Sequence, residues 1–466
     1  MIRLWWHLGE INSAIDGIGT EGSMSCQSKI AKTIVSVTPL AVLADSRTFK
    51  EAASMKRFGF NSIVMEGESS QLTLSDLPFE LHTMVNPHNQ GHHVSPDSLS
   101  EQEHSGRKII GQIKCLLKKV NKRVPLSIRE FISFLLFVKV YFLSSVFSPL
   151  RFIPRASLYY IHSPVFFPAV YLLSKRYKVP FIYDAHDFYS DIEGSRERSR
   201  MEKRWYDPFY RKMEAFCITH SAAVVTVSEG LAKLQENAFG VRSIVIRNCQ
   251  DLRLEKSPPQ HLRQLIGLSS KDFLLVTIGQ AKKGMAVREA FEALLQLPPW
   301  VHLALVGKNQ DQYLEDICKY ELENRVHVVQ PVKPYEVVSF IRSADLSLIL
   351  YYPRSNNYEY LLPNGFFQSV AAGLPILYPE LSEIKGLAES YKLGIPINPC
   401  LPHSISEAVM RLMDNPNLIP MYRQNAQQAM QELNWEKEEV ILRKLVLNVL
   451  ESRPNRRVVD KYDQND

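Results

Sequence analysis

The sequence predicts an α/β protein built as two doubly wound β/α domains that face one cleft. Three observations carry the prediction. The stretch Val179-Pro-Phe-Ile-Tyr-Asp-Ala-His-Asp-Phe-Tyr-Ser-Asp191 joins an apolar, strand-like run to polar residues. Leu362-Pro-Asn-Gly-Phe-Phe-Gln-Ser-Val-Ala-Ala-Gly-Leu-Pro-Ile-Leu377 combines the same ingredients in the other half. In open parallel sheets, ligands bind where loops leave the carboxyl ends of the strands, so both stretches are candidate site segments. Between them, the polar linker Leu252–Gln260, with Pro258 and Pro259, separates two runs of strand and helix patterns. A chain of 466 residues is also too long for one core.

Thr33–Val37 is an apolar strand, Ala44–Gly59 a helix with Phe49, Ala52, Ala53 and Met55 as its apolar stripe, and Phe60–Met65 a second strand. This β-α-β start implies a parallel sheet. Residues 67–105 are polar and carry five histidines without metal-ligand spacing, so they read as a surface loop. Leu158–His162 is a strand, Pro168–Arg176 a helix and Phe181–Tyr183 a strand. A long helix is predicted over Ser195–Thr219, then strand Ala223–Val227, then helix Glu229–Gln235 with Ser228 as its cap. Ser243–Arg247 closes the first domain. Beyond the linker, Phe273–Ile278, Val301–Val306, Val326–Val329, Leu346–Leu350 and Pro375–Leu377 read as strands, with helix Val287–Leu295 after the first. In the last helix, Trp435–Glu451, Ile441, Leu445 and Val449 recur every four residues. The predicted organisation is a poorly structured extension over 1–26, a first domain over 27–257, a second over 258–434, a terminal helix over 435–452 that can cross back to the first domain, and a disordered tail over 453–466.

The six cysteines are scattered without a C-x-x-C pair, which argues against a disulfide framework or zinc site and for a reducing compartment. Residues 1–26 lack the apolar core of a secretory signal, and Met24 is an alternative start. The formal net charge is only +6, yet residues 107–155 hold eleven Lys or Arg against one acid, Glu130. Within that segment, Lys114, Lys118 and Lys122 share a helical face, with Lys119 beside them, and the Phe-rich run Phe131–Ser148 follows. A spanning helix needs about 20 mostly apolar residues, and Lys139 near the middle costs about 2.5–3.5 kcal/mol. The segment is therefore expected to lie at an anionic membrane surface, with Phe134 and Phe137 in the apolar layer. A buried helix with a solvated basic neighbour is the other reading. Lipid suits the aliphatic and Phe-rich neighbourhood better than nucleic acid does.

Several short motifs resemble, in order, those of the family 4 (group 1) glycosyltransferases of the GT-B fold, which have two facing Rossmann-like domains and an interdomain cleft. They are Tyr183-Asp-Ala-His-Asp187, Val224–Glu229, Val245–Asn248, Ile278-Gly-Gln-Ala-Lys-Lys-Gly284, Leu303–Gly307 and Leu362–Ile376. The likeness runs from about Lys32 to Val449. It implies a retaining, nucleotide-sugar-dependent hexosyltransferase with no cofactor and no obligatory metal. The donor is the substrate, and a lipid-linked or glycan acceptor belongs to polysaccharide or glycoconjugate synthesis at the cytoplasmic face of the membrane.

By the same resemblance, His186 and Asp187 are the catalytic candidates. Gly279, Lys282, Lys283, Gly284, Gly307, Asn364, Gly365 and Gln368 are the donor-side candidates. A leaving diphosphate gathers negative charge, so cations and helix N-termini stabilise the transition state. Two departures stand out. Gly365 replaces the family's Lys after Pro-Asn, and Gln368 replaces the last Glu of its E-x7-E pattern. Weaker or rearranged donor binding is expected from the neutral Gln368. A GT-B pseudoenzyme acting as a partner subunit and a GT-B sugar-nucleotide epimerase are the alternatives.

Overall fold

The computed structural model describes residues 31–70, 77–84, 126–190, 202–282 and 284–452. Two parallel sheets organise them. The first contains β1 (Thr33–Thr38), β2 (Asn61–Glu66), β3 (Glu80–Thr83), β4 (Leu158–Ile161), β5 (Phe181–Ala185), β6 (Ala223–Thr226) and β7 (Ile244–Val245), in the order β3-β2-β1-β4-β5-β6-β7. The second contains β8 (Phe273–Ile278), β9 (Val301–Val306), β10 (Val326–Val329), β11 (Leu346–Leu348), β12 (Ile376–Pro379) and β13 (Gly394–Ile397), in the order β10-β9-β8-β11-β12-β13. Every residue of β4 and β5 is buried, as expected for parallel strands covered by helices on both faces. Strand order reverses between β1 and β4 and again between β8 and β11. Those two crevices are the ligand-binding switch points of such sheets.

Among the described residues, the α-helices of eight or more residues are α1 (Ser46–Arg57), α2 (Leu126–Phe142), α3 (Phe167–Tyr177), α4 (Asp207–His220), α5 (Glu229–Phe239), α6 (Val287–Leu295), α7 (Asn364–Ala371), α8 (Ser382–Ser390), α9 (Pro402–Asp414), α10 (Leu418–Ala429) and α11 (Trp435–Glu451). Ser228 caps α5 by accepting from the Leu231 N–H. The last helix, α11, packs on the first sheet. Trp435, Leu442, Leu445, Val446 and Val449 join Ile34, Met55, Leu158 and Ile182 in one core. The indole N–H of Trp435 donates to Ser54 Oγ (2.9 Å).

Several expectations change. A strand, β3, runs through part of the segment predicted as a loop; it is a short edge strand whose polar residues hide the pattern. No expectation covered β13, Gly-Ile-Pro-Ile. The helix α5 extends to Phe239, past the predicted end. The helix predicted from Ser195 is described from a π-turn at Glu202–Tyr206 onward. Residues 1–26 and 453–466 lie outside the described residues, as do Lys114, Lys118, Lys119, Lys122 and Lys283.

The assignment of Phe134 and Phe137 to a lipid-facing layer is corrected. Phe134 is 3% and Phe137 7% exposed. Both face α4 and the turn before it, where the Phe137 ring lies tilted 4.7 Å from Tyr206 and Phe134 meets Phe209 edge to face at 6.0 Å. The physical reason is helical spacing. Residues 134, 137, 138 and 141 share one face, which an aromatic partner covers. Ile128, Phe131 and Leu135 lie on the adjoining face and are 48%, 39% and 45% exposed, with Phe131 at its border 5.2 Å from Trp205. The helical stretch Ile128–Phe152 is long and apolar enough to cross a membrane by length and composition, though 33% of its apolar window is already buried in protein.

Candidate active site

At the first switch point, β5 ends in Asp184 and Ala185, and His186 follows. His162 follows β4 on the neighbouring strand, and α1 begins just after β1, capped by Asp45. Parallel pairing brings these ends together, since Ile161 lies opposite both Val37 and Tyr183. His186 Nε2 lies 3.2 Å from Asp184 Oδ2. The side chain of His186 is 23% exposed, so the ring stands at the wall of the crevice. Burial pulls its pKa down, but the Asp184 and Asp45 carboxylates outweigh that and hold the imidazole above its ordinary value.

Asp187 faces the other domain. The Asn357 side chain donates to its Oδ1 (3.2 Å) and accepts from the Phe188 N–H (2.8 Å). The predicted pair is therefore divided: His186 belongs to the sheet of the first domain, and Asp187 to the seam between the domains.

At the second switch point, Gly279 follows β8 and Gly307 follows β9. The Gly279 carbonyl lies so close to Gly307 that a Cβ there would come within 1.9 Å of it. Gln310 Nε2 donates to that same carbonyl (2.8 Å). Lys282 is solvent-exposed, and its ammonium lies 5.6 Å from the Tyr351 ring centroid. Desolvation by its neighbours opposes its charge, yet Tyr351, Asp187 and Tyr358 hold its pKa above the ordinary lysine value. Gly284 is backed by the Tyr358 ring. Asn364 and Gly365 open α7 as expected, but Asn364 is engaged across the cleft with Asn248 and Ser46 Oγ. Gln368 is 8% exposed, and among the described residues no hydrogen bond engages its side-chain amide.

Sequence reasoning missed the buried charges behind His186. Arg47, Glu51, His162 and Asp184 are each at most 2% exposed. A usable signal existed, because His162 and Asp184 are polar residues closing apolar strands beside a strand-order reversal. His162, Asp184 and His186 also form the one described His/Asp group whose ligand atoms all lie within 4.8 Å of one another. Arg47 already occupies both oxygens of Asp184, with Nε 2.6 Å from Oδ2 and Nη2 3.0 Å from Oδ1. A dication at that carboxylate would meet a guanidinium at contact distance, so the donor set fits a metal poorly.

Residues 132–249 match the model of the glycosyl transferase 4-like domain, and residues 260–429 match that of glycosyl transferases group 1. No curated protein matches the chain in sequence. Among solved structures, sucrose-phosphate synthase from Thermosynechococcus elongatus superposes with a TM-score of 0.62 at 12% identity, covering 89% of this chain and 98% of its own. HepE from Anabaena, in complex with UDP-glucose, gives 0.59 at 15%, covering 89% and 99%. WaaG, a glycosyltransferase involved in lipopolysaccharide biosynthesis, gives 0.54 at 15%, covering 88% and 99%. At these identities the superpositions speak for the fold. With the two family matches in order along the chain and the two facing sheets, the chain belongs to the group 1 glycosyltransferases of the GT-B fold, enzymes that depend on a nucleotide-sugar donor.

Proposed function

We propose that the protein transfers a hexose, with retention of anomeric configuration, from a nucleotide-sugar to a lipid-linked or glycan acceptor at the cytoplasmic face of an anionic membrane. One observation carries the reading. The strand-end loops of the two domains meet, with the His186 loop bonded to Asn357 and Lys282 beside Asp187. A donor diphosphate at the second switch point would lie on Lys282, its neighbour Lys283 and the backbone N–H groups that open α7. The sugar would then face His186. As the bond from the anomeric carbon to the diphosphate breaks, charge grows where those cations stand. No step requires a metal or a cofactor.

HepE and WaaG supply the choice of probes: UDP-glucose for the donor and a lipopolysaccharide-type lipid for the acceptor. The purified chain would be screened against UDP-, GDP- and ADP-sugars for nucleotide release, with and without extracted glycolipid, and the product's anomeric configuration read by NMR. The expected outcome is turnover of at least one donor, reduced about 10²-fold or more in His186→Ala with the fold intact. If no sugar nucleotide binds at millimolar concentration, the pseudoenzyme reading replaces this one. An inverted product would remove the retaining assignment.

A further inference from the structure

The first switch point holds more buried charge than a single sugar-contacting histidine requires. Asp184 Oδ2 has Arg47 Nε at 2.6 Å, His186 Nε2 at 3.2 Å and His162 Nδ1 at 3.4 Å. Arg47 completes a fork with Nη2 on Oδ1 and donates Nη1 to the Ile246 carbonyl (2.7 Å). Glu51, one turn along α1, approaches Arg47 at 3.4 Å and His162 at 3.5 Å, and receives the Tyr160 hydroxyl at 3.3 Å. Both ring nitrogens of His162 lack a well-formed hydrogen bond. Burying ions costs several kcal/mol each, and apolar replacements are often neutral or better, so stability is a poor account of this cluster.

We propose that Asp184 is a positioning residue for His186, locked by the Arg47 fork and flanked by His162, so that the His186 ring is held by Nε2 and Nδ1 is the nitrogen left to meet substrate. The proposal rests on His186 being the catalytic group of the transfer reaction. The logic is that of a carboxylate that orients an imidazole and stabilises its charged form. The bidentate fork fixes the carboxylate plane, and that plane fixes the ring.

The groups facing His186 are Asp184 on β5, His162 at the end of β4, Asp45 at the cap of α1 and Arg47 on α1. Burial and Arg47 oppose an imidazolium there; Asp184 and Asp45 favour it and prevail. His162 is driven the other way, chiefly by burial, and stays neutral. Burial also pushes up the Glu51 carboxyl, with Asp184 adding to the rise and Arg47 opposing it. Asp184 itself is held well below the usual carboxylate range despite burial, chiefly by Arg47 and then by His186. The sign of the coupling follows. Removing the Asp184 charge lowers the pH at which His186 gives up its proton.

The test uses the full chain with histidines labelled for NMR, the His186 signal being the one lost in His186→Gln. In Asp184→Asn, His186 is expected to titrate at lower pH than in wild type. With UDP-glucose or whichever donor proves active, kcat is expected to fall about 10- to 100-fold while the donor KM changes little, and the alkaline limb of the pH profile to move toward acid. Asp184→Glu keeps the charge but displaces the ring, so His186 should still titrate high while kcat falls. If Asp184→Asn fails to fold by thermal melt, Asp184→Glu decides alone, and an unchanged kcat there overturns the proposal. An unshifted His186 titration in folded Asp184→Asn also overturns it. So does stoichiometric zinc in the purified protein together with loss of activity to a chelator, which would make these three side chains a metal site. A wild type inactive on every donor defeats the transfer reading, while the His186 titration still judges the positioning.

Discussion

Gly365 and Gln368 sit within one turn of each other on α7, yet they differ in how far they could be reverted to the family's Lys and Glu. A Cβ on Gly365 would stand 2.8 Å from the Ile278 carbonyl oxygen, a backbone atom with little freedom to move. The end of β8 and the start of α7 have thus closed into the space a lysine would need. Gly365→Lys is expected to lower the melting temperature and to leave UDP binding no tighter; a stable variant with stronger UDP binding would refute this. Gln368 has no such constraint, because its amide has no side-chain partner to lose among the described residues. A hydrogen bond to a charged group contributes about 1.5–3 kcal/mol net, against about 0.5–1.5 kcal/mol for a neutral one. With residue 368 at the ribose hydroxyls, Gln368→Glu should tighten UDP roughly 5-fold by calorimetry and leave free uracil unaffected. Equal affinities of wild type and variant for UDP would take residue 368 away from the ribose.

Among the elements, legibility followed burial. The inner strands β8 and β9 begin and end where the sequence predicts, because strands covered on both faces are mostly apolar runs stopped by polar residues or Gly. Edge elements such as β3 carry no such signature. The site was legible where it is local, as in the His186 and Pro363–Asn364 motifs. It was hidden where it depends on partners far away in sequence, as with Arg47 and Asp184, 137 positions apart. The helix α2 shows the same limit. Both of its faces are apolar, and only the aromatic side of α4 decides which one is covered. Two separable outcomes follow. Phe134→Ala should cost about 3–5 kcal/mol of stability, as a large core deletion does. Changing Ile128 and Leu135 together to Ser should spare the melting temperature and weaken flotation with anionic vesicles. Exposed Lys203, Arg204, Arg211 and Lys212 on the adjoining turn and α4 add cations near this face. Wild type that never floats at low salt would end the membrane reading. Flotation that resists alkaline extraction would favour a spanning helix instead.

At the scale of the molecule, the two domains share hydrogen bonds at a helix end, where the helix offers no partners of its own. The first N–H groups of α5 have no partners within the helix. Ser228 caps the Leu231 N–H from within the first domain, but the Gly230 N–H is taken by Glu383 on α8 of the second domain (2.6 Å). The hydroxyl of Ser228 also donates across the cleft to the Tyr360 carbonyl (2.7 Å). The ring of Tyr360 lies so close to Gly230 that an added Cβ would fall 2.0 Å from Cδ1 and 2.8 Å from the Tyr360 Cβ, so the ring could not swing clear without moving its backbone. With Asn357 on the Phe188 N–H, these contacts make a seam that closes the mouth between the switch points. A carboxylate at a helix N-terminus contributes about 0.3–1 kcal/mol, and up to about 2 kcal/mol when partly buried. That is small against the stability of either domain and comparable to the few kcal/mol that separate open from closed states. Glu383→Ala and Gly230→Ala should therefore each leave the fold intact while shifting the population toward an open form. Small-angle scattering should report a larger radius of gyration for both variants than for wild type. Gly230→Ala should show the greater change, since it removes the seat of Tyr360 as well as straining the bond to Glu383. If a nucleotide-sugar draws the domains together, saturating UDP-glucose should narrow the difference for Glu383→Ala, where the seat is intact, more than for Gly230→Ala. Radii identical to wild type in both variants would mean that the seam is held elsewhere, and that Glu383 serves α5 alone.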